Sequence, residues 1–217
     1  MRVARMSLLF MAFLGSSAVP AAAPTETGFV RLFDGKTLSG WEGNRTLFRP
    51  VAGAIVAGNL EQPIPRNEFL CSKRTFENFE LRIKARLRGK GDNAGIQFRS
   101  RRIPNNHEVI GYQCDMGSTS EFKNIWGWLY DESRRGTFLA QGDPNSISRA
   151  FKPNDWNELR IRCEGPRIQI WLNGVKTVDY TEREKQIPRR GVIGLQIHGG
   201  APSEAAYKDI RIKELKP

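Results

Sequence analysis

A period of two runs through this sequence. Phe79-Glu80-Leu81-Arg82-Ile83-Lys84-Ala85-Arg86-Leu87 alternates apolar and charged residues over most of its length. Successive side chains of an extended strand point to opposite faces, so such a run buries one face and wets the other. The pattern returns in Leu159-Arg160-Ile161-Arg162-Cys163 and in Ile210-Arg211-Ile212-Lys213-Glu214-Leu215. Turn signals separate the runs: residues 89–92, Gly165-Pro166, and Asn173-Gly174, a strong hairpin signal between residues 168–172 and 175–180. Residues 192–197 read as one more strand, and no helix is expected beyond a turn near residues 182–186. With 21 Gly and 12 Pro in 217 residues, punctuation is too frequent for a helical bundle. The expectation is an all-β chain forming an antiparallel β-sandwich or barrel, one domain over residues 29–217.

The N-terminus reads differently. Arg2 and Arg5 precede an apolar stretch, residues 6–14, and small residues follow through Ala23. That is the layout of a secretory signal peptide over residues 1–21, with a cut as late as residue 23. The mature protein is then expected in the periplasm or secreted, with no membrane partner, since no run of 18 apolar residues exists. Export would place Cys71, Cys114 and Cys163 in an oxidising compartment. Their odd number leaves at least one free, and their apolar, strand-like surroundings suggest buried, inert thiols.

Lys and Arg number 34 against 23 Asp and Glu, a formal charge of +11. A basic surface can bind phosphates by releasing counterions. Here the arginines are scattered, and the tightest groups (Arg99-Arg101-Arg102, Arg134-Arg135, Arg189-Arg190) sit near turns. No nucleic-acid-binding motif is present, so no nucleic-acid partner is expected.

Three segments share one pattern: Gly95-Ile96-Gln97-Phe98-Arg99, Gly111-Tyr112-Gln113-Cys114-Asp115 and Gly194-Leu195-Gln196-Ile197-His198. Alternation sends the apolar residues inward and Gln97, Arg99, Gln113, Asp115, Gln196 and His198 outward. The glycines leave room for something to lie across the sheet. Amides and charges gathered on one face suit sugar hydroxyls. A second dense block, residues 125–135, holds Trp128 and Tyr130, whose rings can stack on sugars, together with Asp131, Glu132 and Arg134. Asp131 and Glu132 are adjacent, so on a strand they point oppositely and cannot form a facing glycosidase pair. The outward residues and this block are the candidate substrate-binding positions.

These blocks, in this order, resemble the 3-keto-disaccharide hydrolase family. The resemblance opens with Phe29-Val-Arg-Leu-Phe-Asp-Gly-Lys-Thr-Leu-Ser-Gly-Trp41. It continues through Asn93-Ala-Gly-Ile-Gln-Phe-Arg99, Gly111-Tyr-Gln-Cys-Asp115 and Trp128-Leu-Tyr-Asp-Glu-Ser-Arg-Arg135. It closes with Trp156-Asn-Glu-Leu-Arg-Ile161, Trp171-Leu-Asn-Gly174, Gly194-Leu-Gln-Ile-His-Gly199 and Tyr207-Lys-Asp-Ile-Arg-Ile-Lys213. The match spans nearly all of the mature chain. One position departs: Gln113 stands where many members carry Glu.

The resemblance implies a concanavalin A-like jelly roll and cleavage of glycosides already oxidised to a ketone at sugar carbon 3. A C3 ketone acidifies the C2 hydrogen. A base removes it, the C1 substituent leaves by elimination, and water adds to the enone. Asp115 or His198 would be the base, Arg99 the cation that stabilises the enediolate, and Glu132 the donor to the leaving oxygen. A divalent metal is a possible alternative to Arg99, with Asp115, His198 and Glu132 as possible ligands, although no metal-spacing motif is present. A sugar 3-oxidoreductase is implied upstream. Two rival readings use the same fold: a non-catalytic carbohydrate-binding module, and an endoglucanase, for which the chain lacks any Glu-x-Asp triplet.

Overall fold

A computed structural model of the chain describes residues 26–216; the expected signal segment lies outside the described residues. Fifteen strands, numbered along the chain, form two antiparallel sheets. The seven-stranded sheet runs β10 (Phe138–Ala140), β9 (Leu129–Glu132), β8 (Val109–Gly117), β7 (Asn93–Arg102), β14 (Gly191–Ile197), β5 (Glu68–Phe76), β2 (Trp41–Glu42). The eight-stranded sheet runs β13 (Val175–Thr181), β12 (Arg167–Leu172), β11 (Asn157–Glu164), β6 (Phe79–Gly89), β15 (Ser203–Glu214), β4 (Ala54–Asn59), β3 (Phe48–Val51), with β1 (Val30–Arg31) paired to β15. The all-β sandwich expected from the alternation is therefore the fold observed.

The alternation builds the core directly. Leu81, Ile83 and Ala85 of β6 and Leu159, Ile161 and Cys163 of β11 are fully buried, while the arginines and lysines between them are half-exposed. From the opposing sheet, Ile96, Phe98, Leu195 and Ile197 fill the same layer. Each such side chain contributes about 1.5–3 kcal/mol on burial. All three cysteines are free and buried, and burial raises their thiol pKa values, to about 12 for Cys163. One short helix, α1 (Pro144–Ala150), was not legible in the sequence. It has one buried residue, Ile147, so no apolar stripe marks it. Asp143 caps it by accepting from Ser146 N at 2.8 Å.

Two features of the core position the site. Tyr207 of β15 reaches across the sandwich, and its hydroxyl meets Gln196 O at 2.6 Å and Gly95 O at 3.3 Å. That contact ties the backbones of β14 and β7 from below. In addition, β7 bulges between Phe98 and Arg101, where Arg99 takes φ +48°. Beyond the bulge, the β7–β8 hairpin bends over the outer face of its own sheet. Val109 packs there with Phe69, Cys71 and Val192, and Arg102 donates to Glu42 O and Phe69 O.

Candidate functional site

The outer face of the seven-stranded sheet carries a pocket of about 470 Å³. Its floor is polar: Gln113 and Asp115 from β8, Gln196 from β14, and Asn93 from the start of β7. Tyr130 and Glu132 of β9 line one side, with Phe138 of β10 and Phe122 beside them; His198 and Asn67 line the other. Thr119, Ser120 and Glu121 complete it from the segment after β8. The structure thus brings together Gln113, Asp115, Tyr130, Glu132, Gln196 and His198. Gln97 lies fully buried beneath them.

The outward face of this sheet is dry. Gln97 and Gln196 are 0% exposed, and Gln113 and Asp115 are 3% exposed. The hairpin arm and the 119–122 segment remove water that an open sheet would keep. The glycines have another use than the one expected. A Cβ on Gly95 would stand 2.4 Å from Gln113 Cδ, and one on Gly111 would stand 2.2 Å from Ser100 Oγ. What lies across the sheet at these positions is the neighbouring strand's own polar side chain.

Burial dominates the electrostatics. Asp115 is pushed up to about 8, mainly by desolvation, with Glu132 adding and the Gln113 hydrogen bond subtracting. Glu132 is pushed up to about 7, again by desolvation first and then by the charge of Glu108. Two carboxyls in one pocket therefore titrate near neutrality, and the charge of Glu132 is one cause of the Asp115 shift. His198 Nδ1 lies 2.7 Å from Gly199 O, a carbonyl that can only accept, so Nδ1 carries a hydrogen. Gln196 has no hydrogen-bond partner for either amide atom among the described residues. A fully buried amide without partners costs stability. One aimed into a pocket marks where a ligand's polar atoms belong.

Besides Gln97, four expected site residues stand outside the pocket lining. Arg99 is turned off the sheet face by the bulge. Its guanidinium donates to Glu77 O and Gly165 O, both at 2.8 Å, and to Asn78 Oδ1 at 3.3 Å. It pins two turns and does not reach the pocket. Asp131 points to the opposite face from Tyr130 and Glu132, as strand alternation requires. It is fully buried and ion-paired to Arg134 and Arg135. Arg134 follows it there, its guanidinium carbon 4.6 Å from the Tyr112 ring centroid. Trp128 shares the pocket's face but lies beneath the lining, packed on Phe122 at 4.9 Å and Phe138 at 5.1 Å.

As a metal centre, the donor set does not fit. Asp115, Glu132 and His198 line one pocket, but among the described residues no three His, Cys, Asp or Glu side chains are arranged to hold an ion. Seven lining residues were missed from the sequence, among them Asn93, for which a signal existed, and Phe122. Asn93 continues the parity of Gly95 and Gln97, whereas Phe122 arrives on a segment with no periodic pattern.

Comparison with known proteins gives the fold independent company. Two solved structures of candidate glycosyl hydrolases from Parabacteroides distasonis are similar, at TM-scores of 0.63 and 0.62. Their identities are 16% and 21%; they cover 87% and 86% of this chain, and 94% and 99% of their own. The carbohydrate-binding module CBM66 from Bacillus subtilis superposes at TM-score 0.57 with 14% identity, over 81% of this chain and 96% of its own. At these identities the likeness is one of fold. No curated protein matches. The family model described as the 3-keto-alpha-glucoside-1,2-lyase-like domain matches residues 28–213, spanning the sandwich and every residue of the pocket. The chain belongs to the 3-keto-alpha-glucoside-1,2-lyase-like domain family.

Proposed function

We propose that the chain cleaves glycosides that carry a ketone at sugar C3, by elimination across C1–C2 followed by hydration. The family's description names a 1,2-lyase, which is the elimination half of this sequence. Asp115 is the base. It takes the C2 proton, and the electron pair moves onto the C3 oxygen as an enediolate. The C1–O bond then breaks, its pair leaving with the departing oxygen, which takes a proton from Glu132. Water adds across the resulting double bond, hydroxide to C1 and hydrogen to C2, so the net change is hydrolysis.

The observation that carries this reading is the pair of carboxyls held near neutrality beside a fully buried, unpartnered amide. Gln196 Nε2 replaces Arg99 as the donor to the enediolate oxygen, and in a dry site a neutral donor is strong enough to matter. Tyr130, Phe122 and Phe138 supply apolar faces for the sugar ring. We further propose export to the periplasm or medium through the N-terminal segment, with the keto sugar supplied by a sugar 3-oxidoreductase.

The test incubates the protein with matched 3-keto and unoxidised disaccharides, with and without EDTA, in heavy water. Mass spectrometry should show cleavage of the keto form alone, deuterium at C2 of the product, and no effect of EDTA. Cleavage of the parent sugar would overturn the elimination route. Binding of either sugar without turnover would instead favour a carbohydrate-binding module, the reading that the CBM66-like fold keeps open.

A further inference from the structure

A line of buried, uncharged groups runs beneath the pocket and ends on its carboxyl. Ser100 Oγ donates to Gln97 Oε1 at 2.7 Å, Gln97 Nε2 donates to Gln113 Oε1 at 2.6 Å, and Gln113 Nε2 donates to Asp115 Oδ1. All four side chains are buried. A ligand-contact role for Gln97 does not account for this order, since Gln97 sits below the lining and bonds only within the line.

The polarity of the line is dictated from one end. An amide has a donating end and an accepting end. An ionised Asp115 can only accept, so Gln113 must turn Nε2 toward it and Oε1 toward Gln97. Gln97 must then turn Oε1 toward Ser100. A proton on Asp115 Oδ1 reverses the demand, because that oxygen now donates. Gln113 would answer by turning Oε1 to Asp115 and Nε2 to Gln97, and Gln97 by turning Nε2 to Ser100. The line can close in that state because Ser100 Oγ also lies 3.0 Å from Phe98 O and 3.4 Å from Tyr112 O. Its hydroxyl has a backbone acceptor waiting in place of Gln97. Every group is then satisfied in both states, where a half-turned line would leave a buried donor or acceptor unmade, at about 1–3 kcal/mol each.

We propose that Ser100, Gln97 and Gln113 form a reversible hydrogen-bond relay whose two amides turn over together when Asp115 gains or loses a proton. They are positioning residues for Asp115, and their use in turnover rests on the reading above, in which Asp115 takes a proton. The other titratable groups around Asp115 are Glu132 and Tyr130 from β9, His198 after β14, Glu121 from the segment after β8, and Cys114 behind it on β8 itself. From β7 come only Asn93, Gly95 and Gln97. Gly95 is part of the device, since any side chain there would displace Gln113.

The test needs no substrate. In isotope-labelled protein, NMR would follow the Asp115 carboxyl carbon and the side-chain amides of Gln97 and Gln113 from mildly acidic to alkaline pH. All three should move with one midpoint. In Asp115→Asn no proton titrates at this position, and both amide signals should stop responding to pH. A titrating Asp115 with a stationary Gln97 would overturn the relay, and would mean that the proton sits on Oδ2 with the line fixed. Amide shifts that persist in D115N would also overturn it, assigning them to Glu132 or His198. A relay that passes both tests in a protein that does not cleave keto-disaccharides would sink the proposed activity and leave the relay standing.

Discussion

On the outer face of the eight-stranded sheet, Glu80 is flanked by Arg82 at 2.8 Å, Arg160 at 3.3 Å and Arg162 at 3.6 Å. On the outer face of the seven-stranded sheet, the equivalent outward positions hold Gln97, Gln113, Asp115 and Gln196. Both faces come from the same alternation, yet they solve opposite problems. The first is wet at its rim: the three arginine side chains are 24–35% exposed, and cross-strand pairs such as Lys84–Asp209 and Arg211–Glu158 extend the ladder. Arg160 also lies 4.0 Å from the Trp171 ring centroid. There, charge meets opposite charge. The second face is covered, holds few charges, and leaves two carboxyls and one amide poorly compensated. Pairing on the first face serves stability. Its absence on the second is a cost that a binding or catalytic site can put to use.

The largest effect should come from removing the buried carboxyl. Asp115→Asn should lower kcat on a 3-keto glycoside by about 10³-fold. It should also stabilise the fold at alkaline pH. The folded pKa of Asp115 is raised from 3.8 to about 8, so ionisation opposes folding progressively as pH rises through that interval. Thermal melts should therefore put D115N above the parent at pH well above neutrality, with the gap closing near pH 4. A mutant no more stable than the parent at alkaline pH would erase the contrast between the two faces.

A smaller loss, about 10²-fold in kcat/KM, is expected for Glu132→Gln. The parent should show a bell-shaped pH–rate profile with limbs near the pair's values of about 7 and about 8. One limb should vanish in E132Q; a profile with both limbs intact would remove Glu132 from the chemistry.

The next effect falls on stability. Arg99→Met should destabilise the fold by about 3 kcal/mol, because three buried or half-buried acceptors lose their donor. Turnover per folded molecule should stay unchanged, as read by denaturant melts beside kcat/KM. A selective loss of turnover would return Arg99 to the site.

The smallest effect belongs to the ladder. Glu80→Ala should cost about 1 kcal/mol at low ionic strength and less as salt is added, with activity unaltered. Salt-insensitive destabilisation would mean that Glu80 acts through packing and not through charge.

Particular residues show how far the sequence could be read. Leu81, Ile83, Ile96, Leu195 and Ile197 declared their faces, since strand parity is a property of local backbone geometry. The same parity separated Asp131 from Glu132 correctly. It failed at Arg99, because one residue out of register at the bulge turns the next side chain off its face. It also failed to show that Gln97 and Gln196 are dry, and it gave no hint of Phe122 or α1.

The order of strands and turns, the division into inward and outward residues, and the family were determined by the sequence itself. Whether an outward face would be wet or buried was decided only by the tertiary structure. Alternation acts between neighbouring residues, whereas desolvation depends on what a distant segment lays over the sheet. The hairpin arm, the 119–122 segment and the Tyr207 hydroxyl supply that cover and support, and through them two ordinary carboxyls come to titrate near neutrality.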